Sequence, residues 1–261
     1  YYLGAFLGRI ISFILVIYLM FLGYWSLIRV CLLIRSYVLD DVSMVMLLLL
    51  LFIPTYQLVT GGIQLIAKYM EATFPIVLLF FVAQLGVLER AQYEFLLPII
   101  KEGWMPIVKT VYVSTLPYHG FGMIIAVYPY LKEKEKAMKG VIIANSLSTG
   151  VYLFTALICF VIYSPYEIQR VFQPVLEMLS VIEFQFVERV DFILFCFYLI
   201  VVSKTWSIYL WTGVNTLTNL FPRIRLNLLM VFVFGIILVC AYVFVPTYTL
   251  SDQQAKWTGS V

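Results

Sequence analysis

TVYVSTLPYHGFGMIIAVYPYL, residues 110–131, contains no Asp, Glu, Lys or Arg. It is long enough to cross a bilayer, which takes about 20 mostly apolar helical residues. Near its middle stand Pro117, His119, Gly120 and Gly122, and His119 is the chain's only histidine. Pro117 removes a backbone donor and clashes with the preceding turn. Gly120 and Gly122 permit conformations that a helix forbids to other residues. One such residue makes a kink; three packed this closely predict an unwound segment. Freed backbone groups are costly in hydrocarbon, so the break has to face protein or a wet cavity. A half-helix starting near Gly120 would aim N–H groups and the positive end of its dipole inward, which suits a carboxylate. The competing reading is a proline kink packed on small residues without a ligand, since both residue types are common in membrane helices. His119 has two readings as well: a hydrogen-bonded core residue, or a group that relays protons or binds an anion.

The rest of the chain says what solvent surrounds this run. The 261 residues are 63% hydrophobic and 12% charged, with a mean hydropathy of +1.00, against about 25% charged residues in a soluble domain. Apolar stretches recur along the whole length, so the expectation is one transmembrane domain over 1–261. A net charge of +3 gives no sign of a nucleic-acid partner. Cys31, Cys159, Cys196 and Cys240 all fall in apolar runs, without pairing or metal spacing, and read as small buried hydrophobes. No nucleophile–base pair, metal cluster or phosphate loop supports catalysis, and no cofactor is expected.

Backbone groups in lipid must bond internally, and these runs are too long for barrel strands, so every span is a helix. Seven are expected: 6–28, 42–67, 72–88, 110–131, 140–163, 192–221 and 226–245. Pro54 should kink the second. The clustered lysines of LKEKEKAMKG (residues 131–140) and the arginines of FPRIR (221–225) lie close to helix ends and set the orientation. They place Arg9, Lys134, Arg223 and Arg225 in the cytoplasm and the longer loops 89–109 and 164–191 outside. Both loops read as caps along the membrane surface.

Lys204 interrupts the sixth span in VVSKTWSIYLW. A lysine at a helix centre costs about 2.5–3.5 kcal/mol on insertion scales, which makes it a functional candidate. The alternative is that it caps carbonyls of a neighbouring broken helix. Helical spacing puts Lys204, Ser207, Trp211 and Asn215 on one face. Gln57, Thr60, Gln64 and Lys68 would share a face of the second span, and Tyr18, Trp25 and Arg29 recur along the first. Such stripes are usually interhelical glue; together they imply a polar interior. No Asp or Glu sits deep in any span, which weakens a proton-pump reading.

Three further stretches carry a resemblance: GGIQLIAKYME, FLLPIIKEGWMPIVK and FQPVLEMLSVIEFQFVERVDFILFCFYLIVVSKTW. In order and spacing the chain resembles the B subunit of bacterial spore germinant receptors, the spore germination permease family of the amino acid–polyamine–organocation transporter superfamily. Gln64 stands where that family usually has glutamate. The resemblance implies an all-α integral membrane bundle of LeuT type, ten helices in two inverted repeats. The spans here would be the third to ninth, and the first two and the last would be missing from 1–261. It places the broken segment at the substrate site, so Leu116, Pro117, Tyr118, His119, Gly120, Phe121 and Gly122 are expected to bind ligand, with Tyr18 and Trp25. It places Lys204, flanked by Ser203 and Ser207, at a cation position. It further implies the inner membrane of the bacterial spore, A and C receptor subunits as partners, and a small nutrient such as an amino acid as ligand. Two other functions remain open at this point: an amino-acid permease, and a water- or ion-conducting scaffold with no nutrient site.

Overall fold

The computed structural model describes residues 4–39, 41–97, 103–113, 120, 122–171, 173–180 and 190–244. Among these the regular elements are all helices and short 3-10 turns. The helices are α1 (Gly4–Tyr37), α2 (Met44–Thr60), α3 (Gly62–Ala72), α4 (Phe74–Gly86), α5 (Trp104–Val113), α6 (Met123–Val127), α7 (Ala137–Ile162), α8 (Pro174–Ser180), α9 (Val190–Leu220) and α10 (Leu226–Phe244). Among the described residues five stretches are long and apolar enough to cross a bilayer: Phe6–Tyr37, Gly62–Arg90, Lys134–Ile162, Phe192–Leu220 and Leu226–Val243, with Met44–Thr60 a shorter apolar helix. The protein is therefore a multi-pass, all-helical membrane protein.

This corrects the expected spans at one place in particular. The run 42–67 is not one helix. Ser43 starts α2 by accepting the Met46 N–H at 3.3 Å, the usual N-cap arrangement. Pro54 lies inside α2 without ending it; one residue on, the Thr55 hydroxyl donates to the Leu51 carbonyl at 2.7 Å, the i−4 back-bond that Ser and Thr make inside helices. The helix stops instead at Gly61, and Gly62 follows with φ of +79°. That left-handed conformation is open to glycine and strained for other residues. Gln57 and Thr60 consequently belong to α2 while Gln64 and Lys68 belong to α3, so the four do not form one stripe. The span expected at 72–88 becomes part of the longer Gly62–Arg90 stretch.

The chain divides into two compact units. One comprises residues 1–71, 125–127 and 202–261. In it α1 and α9 run antiparallel: Gly23 faces Leu210, whose side chain would lie 3.0 Å from a Cβ on that glycine, and Gly213 faces Met20. Glycines at such a crossing let two backbones approach closely. The second half of α1 is its buried half, with Leu27, Val30 and Cys31 fully enclosed, while Phe6 to Ile17 are mostly exposed. A helix of this length spans about 50 Å at 1.5 Å per residue, well beyond a hydrocarbon core of about 30 Å. α2 packs on α10, with Phe52 and Phe234 4.2 Å apart between ring centroids and Leu48, Val59 and Met230 fully buried.

The other unit comprises residues 72–124 and 128–201. α4 meets α7 through Phe81 and Phe154, 4.3 Å apart. Its core gathers Val87, Ile158, Cys159, Met178, Leu179 and Leu194, so α8 caps one end of α7. The Tyr163 hydroxyl donates to the Pro174 carbonyl at 3.3 Å and the Gln92 N–H donates to the Val161 carbonyl at 2.7 Å, tying the connections that follow α4 and α7 to that end. Ser164 opens the second connection: its N–H donates to Glu167 at 2.9 Å, and its hydroxyl accepts the Glu167 N–H at 3.2 Å. This reciprocal pair is the capping box of a turn.

Candidate ligand and cation site

The polar stretch of α9 is built from Ser203 to Ser207. Ser203 shares a hydrogen bond of 2.6 Å with the Tyr69 hydroxyl of α3. One turn on, the Trp206 indole N–H donates to the Thr55 hydroxyl of α2 at 2.9 Å, and that hydroxyl in turn donates to the Leu51 carbonyl. Ser207 donates back to the Ser203 carbonyl at 2.7 Å and is fully buried. Two interhelical bonds thus pin α9 to α2 and α3, with Lys204 half-buried between them. α1, α2, α9 from Phe192 onward and α10 hold no Asp or Glu, and among the described residues no carboxylate pairs with Lys204. A fixed ammonium at mid-span can hold the place of a cation or attract an anionic group.

The remaining expected residues fall as follows. Ser207 and Trp211 are buried and Asn215 is half-buried, in keeping with a common inward face with Lys204. Trp25 lies under the Arg29 guanidinium, 5.3 Å from its ring centroid. Tyr18 is 37% exposed, in the N-terminal half of α1. Leu116, Pro117, Tyr118, His119 and Phe121 lie outside the described residues. α5 ends at Val113 and α6 begins at Met123. Gly120 is exposed. Gly122 caps α6 with φ of −62° and ψ of −16°, values any residue adopts, so Gly122 does not use the conformational freedom expected of it.

Three polar residues escaped the sequence reading. Tyr69 and Thr55 are the partners that hold α9, and each sits in a segment whose other polar residues drew more notice. Gln84 of α4 is 4% exposed, and its Oε1 has no hydrogen-bond partner among the described residues; a buried acceptor of this kind is uncommon. The Gly61–Gly62 pair was a legible break signal in the second expected span.

Comparison with known proteins adds a family. The family model described as spore germination protein matches residues 1–248. The chain is 23% identical to spore germination protein GerQB of Bacillus cereus over 99% of its own length and 71% of that protein's. It is 26% identical to spore germination protein YndE of Bacillus subtilis (strain 168), over 58% of the chain and 42% of the relative. To spore germination protein B2 of the same strain it is 28% identical, over 52% and 38%. No solved structure matches the chain.

Proposed function

Because the chain belongs to the spore germination protein family, we propose that it is the membrane subunit of a nutrient germinant receptor. It senses a small nutrient, an amino acid by preference, and triggers germination together with A and C subunits in the inner spore membrane. The observation that carries this reading is Lys204: an ammonium inside an apolar helix, held between two interhelical hydrogen bonds. A charge fixed in the protein stands in for a coupling cation. Binding then changes a conformational balance without spending an ion gradient, which suits signalling better than accumulation. The nutrient carboxylate meets the segment 116–122, with Tyr18 and Trp25 of α1 as further contacts. A bundle of LeuT type supplies the two conformations that binding distinguishes; a nutrient shifts them only by its difference in affinity for the two.

Exchanging Lys204→Gln tests the reading. Spores carrying the variant are expected to keep the protein in their membranes and to lose most of their response to nutrient. An unchanged response would sink the role given to Lys204. Reconstituted wild-type protein that moved labelled amino acid down a gradient would favour a permease over a receptor. Nutrient-independent ion release altered in the same variant would favour a conducting scaffold.

A further inference from the structure

The N-terminal half of α1 and the end of α9 line a concave surface outside the site described above. It is a cavity of about 350 Å³ lined by Arg9, Ile10, Phe13, Ile14, Leu220 and Phe221. Arg9 and Phe13 are four positions apart, as are Ile10 and Ile14, so these residues form one face over two helical turns. The order along α1 matters: Arg9 stands at one end, and Ile14 lies deeper by about 7.5 Å at 1.5 Å per residue. One cationic group thus heads an apolar trough. Phe13, Ile14 and Phe221 leave roughly half their surface open, at 48%, 61% and 50%.

The charged residues that the trough's own elements place near it are cationic. Beyond Phe221 the chain continues into Arg223 and Arg225, both exposed, before α10 begins. Neither α1 nor the stretch from Phe192 through α10 contains an Asp or Glu, and among the described residues Arg9, Arg223 and Arg225 form no ion pair with a carboxylate. The cavity lining also brings the start of α1 to the end of α9, so all three arginines belong to one membrane face, the one that the charge pattern assigns to the cytoplasm. Basic pockets beside helices at that face attract anionic headgroups, and each arginine near the surface is worth about a fivefold gain in binding.

From this juxtaposition we propose that the trough is a binding site for one anionic phospholipid. The phosphate sits at Arg9, with Arg223 and Arg225 adding to the local potential, and an acyl chain lies along Ile10, Phe13, Ile14 and Phe221. The apolar floor decides for a lipid over a free phosphate. Recognition is electrostatic at one end and rests on van der Waals packing along the other, since a lipid tail gains no hydrophobic driving force inside the bilayer, so both lipid charge and lipid chain contribute.

Native mass spectrometry of the purified protein tests this, with phosphatidylglycerol and phosphatidylcholine of the same chains as probes. The wild type is expected to retain phosphatidylglycerol in preference. Arg9→Gln should lower that preference about fivefold while leaving phosphatidylcholine retention unchanged, Arg9→Lys should keep most of it, and Arg9→Gln with Arg223→Gln and Arg225→Gln should abolish it. An unfolding midpoint of the variants close to wild type shows that the fold is intact. Millimolar glycerol phosphate should not displace the lipid. Equal preference in wild type and Arg9→Gln overturns the proposal. So does displacement by glycerol phosphate, which would make the site one for free phosphate.

Discussion

Tyr69 and Ser203 are 134 positions apart, yet their hydroxyls meet at 2.6 Å, and this bond with Trp206–Thr55 fixes the polar turn of α9. Interhelical hydrogen bonds in membranes are modest, averaging about 0.6 kcal/mol. Tyr69→Phe and Ser203→Ala should each destabilise the protein slightly, and a double-mutant cycle on its unfolding should return a coupling of about 0.6 kcal/mol. A coupling near zero would mean that the pair does not hold α9. Outside the membrane, Glu167 makes a sharper case. The Ser164 backbone N–H, and then its hydroxyl, hold the Glu167 carboxyl below its ordinary range. A group whose folded pKa is depressed contributes stability above its unfolded pKa and loses it as pH falls through the folded one. Protection of the Ser164 amide, corrected for intrinsic exchange, should therefore decline below about pH 4. Glu167→Gln should remove that dependence; a wild-type profile flat from pH 7 to 3 would contradict it.

At the scale of the element, the informative place is Gly61–Gly62. Proline looked like the residue that would disturb this part of the chain, yet α2 runs through Pro54 and ends at the glycines. The reason is local. A proline removes one bond, which nearby hydroxyls and neighbours can offset, whereas a left-handed residue turns the chain out of the helix altogether. A Cβ on Gly62 would touch nothing within 4 Å, so its substitution isolates the backbone cost. Gly62→Ala should destabilise by about 1–2 kcal/mol, read from the unfolding midpoint in detergent, and wild-type stability would show that the turn does not require a left-handed residue. Helices with strong apolar runs and charged ends were legible in the sequence: α7, α9 and α10 fall close to where hydropathy puts them, while α1 runs nine residues beyond its expected end at 28. The division of 42–90 was legible only in the Gly61–Gly62 pair, because hydropathy is blind to a turn made of two apolar-compatible glycines. Nor did the sequence show that Tyr69 and Thr55 would be the anchors of α9. Those pairings join distant parts of the chain, and only packing creates them.

For the whole molecule, the number and length of the apolar helices place the chain in the bilayer, and the family match places it among germination proteins. The site rests on two features of different standing. Lys204 was legible because charge inside a span is expensive and therefore conspicuous; its neighbours on α9, Ser203, Trp206 and Ser207, carry the polar bonds of that turn. The segment 116–122 was legible as a cluster of helix-breaking residues, with Gly120 and Gly122 its described members. Gly122 sits in an ordinary helical conformation, which shifts the weight of the proposal to Gly120, which is exposed. A bulky side chain there would occupy the ligand's place without removing any bond from α9. The most direct test is the nutrient response of spores carrying Gly120→Trp, scored over a panel of amino acids alongside the amount of the protein in their membranes. The account predicts normal protein levels and no response to the nutrient that germinates the wild type; a wild-type response at normal levels would contradict it.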